Sequence, residues 1–225
     1  MKNNRIYELD LTRGILVLGM MLYHLGYDLN TYYGFQIPLY HGIIEVLFSI
    51  GSCLFILLPG INTYLTRSNV KRGLKVLAAG LLVTVVTYWY HKEDFVLFGI
   101  LQCIGVCILL SDLLKKIKHK LAAAAVCLIA GYLFSRIHLD TLWFLPLGIT
   151  PLSYQSIDYY PLFPSLGFYL IGVWIGEKYY SQNKKGYLPY PTGFTPVSFV
   201  GKHAFLFYLI HQPILLLILL LIFLQ

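Results

Sequence analysis

Seven stretches of about twenty mostly apolar residues dominate this chain, at 11–30, 43–65, 73–90, 95–112, 121–138, 161–180 and 203–224. A run of that kind is what a helix needs to cross the roughly 30 Å hydrocarbon core of a bilayer. In lipid the backbone must satisfy its own hydrogen bonds, which leaves helices as the spanning element for such runs. The expectation is an all-α transmembrane helical bundle, one domain over 1–225, with about seven spans. Composition agrees, because only 12% of the residues are charged, against roughly 25% in soluble domains. The stretch 139–160 holds Trp143, Phe144, Pro146, Gly148 and Pro151. It is too broken for an ordinary span and reads as a long outer loop, with a re-entrant segment or an eighth helix as alternatives. The first apolar run contains Arg13 and His24 and lacks a small-residue cleavage site, so it reads as a span rather than a cleavable leader.

The net charge of +7 comes from short basic clusters between the apolar runs. That pattern is a topology signal rather than a nucleic-acid footprint, and no nucleic-acid partner is expected. With the N-terminus cytoplasmic, the inner segments hold Lys2, Arg5 and Arg13; Arg67, Lys71, Arg72 and Lys75; Lys115, Lys116, Lys118 and Lys120; and Lys178, Lys184, Lys185 and Lys202. The outer segments hold Lys92 and Arg136. Fifteen against two favours seven spans with the C-terminus outside, in a plasma or bacterial inner membrane. Residues 181–202, with Pro189, Pro191 and Pro196, form the longest inner loop. Cys53, Cys103, Cys107 and Cys127 all lie in apolar runs without CxxC spacing. They read as small buried side chains, and neither a disulfide framework nor a metal site is expected.

Ionisable groups inside a span cost roughly 2.5–3.5 kcal/mol each on insertion scales, so they usually face a cavity. The first helix carries Asp10, Arg13, His24 and Asp28. At 100° per residue, the eleven steps from Arg13 to His24 end about 20° from a whole number of turns. The two therefore share a face, with Asp28 one turn beyond His24 and Asp10 three residues before Arg13. Other polar groups suited to one cavity are Glu45, Ser49, Ser52 and Asn62 on the second helix, Gln102 in the fourth, and His211 and Gln212 before Pro213 in the last. An imidazole titrates near neutrality and suits general-base work or transient acyl carriage; the residues leave both open. Asp28 could orient the ring. Arg13 could hold an anionic donor or stabilise developing charge, and Arg67, Lys71 and Arg72 could receive phosphates. A non-catalytic alternative makes the same stripe a permeation path in a transporter, or part of a partner subunit.

The block "YELDLTRGILVLGMMLYHLGYDL" resembles the first helix of the heparan-α-glucosaminide N-acetyltransferase catalytic-domain family. It also shows the Arg, ten residues, His pattern of the wider membrane acyltransferases, including acyltransferase family 3. The blocks "GSCLFILLPGINTYLT", "FGILQCIGVCILL", "DYYPLFPSLGFYLIGVWIGEK" and "PVSFVGKHAFLFYLIHQP" follow in the same order. The resemblance implies transfer of an acetyl group from acetyl-CoA to a sugar or similar acceptor, with His24 and Arg13 at the positions of the family's histidine and the superfamily's arginine. The chain is much shorter than the lysosomal enzyme, so the glucosaminide acceptor is not carried over with the reaction class. A carbohydrate acceptor is the expectation, and a homodimer is one allowed assembly.

Overall fold

The computed structural model describes residues 5–90, 92, 95–156, 158–182, 185–191 and 195–223. Lys2 and Lys184, counted above among the inner charges, lie outside the described residues. Every regular element among the described residues is helical: α1 (Tyr7–Tyr33), α2 (Gly42–Ile61), α3 (Asn69–Tyr90), α4 (Ile100–Leu109), α5 (Ser111–Leu114), α6 (Lys120–Phe134), α7 (Leu162–Ile175), α8 (Pro196–Lys202) and α9 (Ala204–Phe223). Three segments among the described residues are long and apolar enough to cross a membrane: Gly42–Tyr64, Asn69–Tyr90 and Ala204–Phe223. They match the expected runs at 43–65, 73–90 and 203–224. Their outward faces carry side chains such as Leu81, Leu82, Trp89, Leu220 and Leu221, all more than half exposed. Water would penalise such a surface and lipid does not.

The other expected spans differ in length. The first run becomes α1, of 27 residues, whose Glu8, Asp10, Arg13, His24 and Asp28 set it apart from the purely apolar helices. The run at 95–112 yields a helix of 10 residues and that at 121–138 one of 15. At 1.5 Å per residue these are about 15 and 22 Å long. The first turn of α4 is capped twice: Gln102 Oε1, from within the helix, accepts the Gly99 N–H at 3.0 Å, and Asp158 Oδ2, from outside it, accepts the Ile100 N–H at 3.1 Å. α7 starts at Leu162 and passes into a π turn at Gly176–Tyr180. Residues 139–160 contain one short 3₁₀ turn, Leu145–Leu147, among those described, and no spanning helix.

The chain forms two compact units, Met1–Phe55 with Lys185–Gln225, and Ile56–Lys184. In the first, α1 ends at Gly34, whose φ of 72° lets its N–H reach back to Leu29 O. Asn30 then clamps the exit loop: its amide donates to Ile37 O at 2.7 Å and its oxygen accepts the Ile37 N–H at 2.8 Å. The short helix α8, opened by Pro196 at its first position, packs on α1 at two glycines. A Cβ on Gly201 would lie 2.8 Å from Gly14 N, so the backbones meet directly, as small residues allow between membrane helices. Glu8 accepts the Tyr187 N–H at 2.7 Å, tying the segment before α8 to the start of α1.

In the second unit α3 packs on α4 and α6 on α7. Gly60 and Gly172 face each other where the end of α2 meets α7; a Cβ on either would stand 3.1 Å from the other's Cα. The fully buried Tyr169 joins three elements, its hydroxyl 2.8 Å from Thr63 Oγ1 and 2.7 Å from Ser111 Oγ. The buried Lys120 ammonium pairs with Glu177 at 2.8 Å and also donates to Ile117 O at 2.8 Å.

Two outcomes follow from this packing. Gly172→Val should cost on the order of 1–3 kcal/mol or more by overpacking, read as a lower unfolding temperature in detergent. The Asp158 carboxyl is pushed up to about 6 by burial, against the lowering effect of the Ile100 N–H. Its folded-state value lies above the unfolded one of 3.8. The buried charge therefore destabilises the fold above about pH 6, and the penalty is relieved as pH falls from 6 toward 4. Asp158→Asn should flatten the pH dependence of the unfolding temperature in that window while leaving the cap acceptor in place.

Candidate active site

Four polar side chains of the first unit gather where α1 passes α9. His24 lies on α1 and its Nδ1 is 2.9 Å from the Met20 carbonyl oxygen, one turn earlier. His211 lies on α9, buried, with Nδ1 2.6 Å from Tyr208 O. A carbonyl oxygen can only accept, so in both rings Nδ1 carries the hydrogen and Nε2 keeps its lone pair. The rings meet edge to face, centroids 4.8 Å apart. Next to them the Gln212 amide donates to both oxygens of the buried Asp28, at 2.8 and 3.0 Å. Two buried polar atoms of this group have no hydrogen-bond partner, His211 Nε2 and Gln212 Oε1; Asn69 Oδ1, Arg72 Nε and Tyr154 OH are the others among the described residues. His211 Nε2 and Gln212 Oε1 are acceptors, and His24 Nε2 is a third. His24 is partly accessible. Its arrangement suits proton abstraction from a bound donor.

The model of the family described as heparan-alpha-glucosaminide N-acetyltransferase, catalytic, matches residues 5–213. The chain belongs to that family. It is a family of membrane acetyltransferases, and the match takes in His24, Asp28, His211 and Gln212. Neither a curated protein nor a solved structure matches the chain.

The family residues do not form one continuous stripe. Asp10 and Arg13 make a separate cluster toward the start of α1. Arg13 Nη1 is 2.6 Å from Asp10 Oδ1, Arg5 Nη1 is 3.7 Å from Asp10 Oδ2, and the Tyr190 hydroxyl donates to Asp10 Oδ2 at 3.2 Å. Arg13 is thus engaged in an ion pair with a buried carboxylate. The Asp28 carboxylate holds Gln212, and the His24 Nδ1–H is held by Met20 O. On the first half of α2, Glu45 and Ser49 are exposed, and Ser52 Oγ bonds back to Phe48 O at 3.0 Å.

The remaining expected site residues belong to the second unit. Gln102 is a structural cap rather than a cavity group, donating to Gly80 O at 3.0 Å and Thr84 Oγ1 at 2.6 Å in addition to holding Gly99. Arg72 likewise closes the end of α2, with Nη2 3.0 Å from Pro59 O and Nη1 2.7 Å from Thr66 Oγ1. Asn62 opens the turn Asn62–Tyr64, whose carbonyl accepts from Leu65 and Thr66. Arg67 and Lys71 are exposed. Met20 O and Tyr208 O stand four and three residues before their histidines on the same helices, a spacing the sequence carries; the meeting of α1 with α9 it does not.

Removing the carboxylate at Asp10 strands Arg13 beside a buried site. Asp10→Ala should cost about 1–3 kcal/mol, seen as a lower unfolding temperature, and Asp10→Asn should recover part of it through the Tyr190 hydroxyl.

Proposed function

We propose that this chain is a membrane-embedded acetyltransferase that moves the acetyl group of acetyl-CoA to an amine or hydroxyl of a sugar or envelope-type acceptor, with His24 as general base. The supporting observation is the His24 ring itself. Met20 O holds its Nδ1–H, leaving Nε2 as an unpartnered base on the helix that carries the family's most specific block. As the acceptor atom attacks the thioester carbonyl carbon, Nε2 takes the proton that the acceptor sheds. The C–S bond breaks, and the proton passes to the coenzyme thiolate. Direct transfer needs no acyl-histidine, and the Nδ1–H bond keeps the imidazole in the tautomer that a base requires.

The proposed topology is seven spans with the N-terminus cytoplasmic, in a plasma or inner membrane. The charge asymmetry supports it, and we assign the spans beyond the three longest apolar segments to α1, to α4 with α5, to α6, and to α7 with the π turn that continues it. In that orientation Arg67 and Lys71 are cytoplasmic, exposed and uncommitted to any helix end, and we assign the coenzyme phosphates to them. Arg72 is left out because its guanidinium closes α2.

Purified protein in lipid nanodiscs tests the assignment. His24→Ala should lower acetyl transfer by about 10²–10⁴-fold with an unchanged unfolding temperature; normal turnover by that variant would sink the base assignment. Arg67→Ala with Lys71→Ala should raise KM for acetyl-CoA and leave kcat in place, whereas Arg72→Ala should lower stability.

A further inference from the structure

The charged cluster at the start of α1 holds more positive groups than its own carboxylate can match. Buried Asp10 is engaged by Arg13 Nη1 at 2.6 Å. Arg5 Nη1 stands off at 3.7 Å from the other oxygen, and its bond to Lys202 O is long, at 3.4 Å. The Lys202 ammonium lies over the Tyr190 ring, 4.5 Å from the centroid, and forms no ion pair among the described residues. Three positive groups thus share one negative one. Like charges drawn together repel, and a surplus of two calls for an anion. The backbone holds them in place. A Cβ on Gly201, the residue before Lys202, would stand 2.7 Å from the carbonyl carbon of Asp10, so α8 presses on the turn of α1 that carries the carboxylate. The Tyr190 hydroxyl donates to Asp10, and its ring meets Tyr7 edge to face at 5.2 Å.

We infer that Arg5 and Lys202 form a binding site for the phosphate of an anionic glycerophospholipid. The inference uses the assignment of α1 as a span and not the transfer reaction. α1 has 27 residues, about 40 Å of helix, against a hydrocarbon core of roughly 30 Å. Its charged first turns therefore stand in the headgroup layer, where lipid phosphates lie and tyrosine rings are at home. A guanidinium offers paired N–H groups to phosphate oxygens, and an ammonium adds a compact charge beside it. Further along α1, Ile15, Leu18 and Leu22 are exposed at steps of three and four residues, which makes one apolar face. An acyl chain covers that face, and a soluble phosphate would leave it bare. A choline or ethanolamine headgroup would bring a cation back to a place already in surplus, so the site favours a headgroup without one. The bound lipid ties the segment before α1 to the end of α8.

The test uses the full chain in nanodiscs of phosphatidylcholine, alone or mixed with phosphatidylglycerol. Phosphatidylglycerol should raise the unfolding temperature by roughly 4–8 °C, the effect of two cations at a membrane surface on a chain of this length. Arg5→Ala with Lys202→Ala should abolish that increment whatever it does to the baseline, and Arg5→Lys with Lys202→Arg should keep most of it. A double alanine variant with the wild-type increment overturns the site. Lys118→Ala removes an exposed charge elsewhere and should keep the increment in full. An equal loss there means diffuse attraction to the surface, which also overturns the site. Coenzyme A added to phosphatidylcholine nanodiscs separates the two sources of phosphate. If it stabilises wild type and not the double alanine variant, the cations serve a soluble phosphate and the lipid assignment falls. Native mass spectrometry of the wild-type protein needs no variant: a retained phosphatidylglycerol is expected, and its absence overturns the inference.

Discussion

A polar atom in hydrocarbon has no water to fall back on, so each must find its partner within the protein. This constraint organises the chain more than any single apolar contact. Thr and Ser hydroxyls bond back to carbonyls one turn earlier, as Ser52 does to Phe48 and Thr87 to Val83. Tyr169 closes a three-residue hydroxyl chain with Thr63 and Ser111. Asp10, a buried carboxylate, gathers two guanidinium groups and a phenol. Five buried side-chain atoms among the described residues lack a partner, and two of them, His211 Nε2 and Gln212 Oε1, lie together beside His24.

The same histidines show how a helix backbone can set side-chain chemistry. A ring nitrogen bonded to a carbonyl three or four residues earlier must be the protonated one, so the opposite nitrogen is a base. The tautomer at both positions is thereby set by the carbonyls of α1 and α9 themselves. Asp28 is free to act on charge rather than on orientation, and Gln212 keeps it in place.

Much of the fold was legible because apolar runs of about twenty residues have few alternatives. The runs at 43–65, 73–90 and 203–224 needed little beyond length and composition. The short elements were harder. α8 has seven residues inside a polar, proline-bearing loop, too few for a periodic pattern to register. The outside cap on α4 comes from Asp158, 58 positions away from the amide it caps. His24 and Asp28 were readable as a pair because one helix carries both. Their pairing with His211 and Gln212 was not, since helical spacing says nothing about a second helix. Gln102 and Arg72 bond to helix ends for a common reason: a polar residue near a helix end has unsatisfied backbone close by. The glycine three residues before Gln102 was the sign of that role.

The first unit is discontinuous in the chain, assembled from Met1–Phe55 and Lys185–Gln225. The bond between Asp28 and Gln212 joins residues 184 positions apart. At synthesis rates of about 5–20 residues per second, α1 emerges roughly 10–40 s before α9. During that interval Asp28 and His24 sit on a helix whose partners do not yet exist. α1 must wait near the insertion machinery or at the water interface. A ribosome that stops short of α9 leaves a chain with an unmatched carboxylate in its first helix, a direct mark by which quality control can tell an unfinished molecule from a finished one.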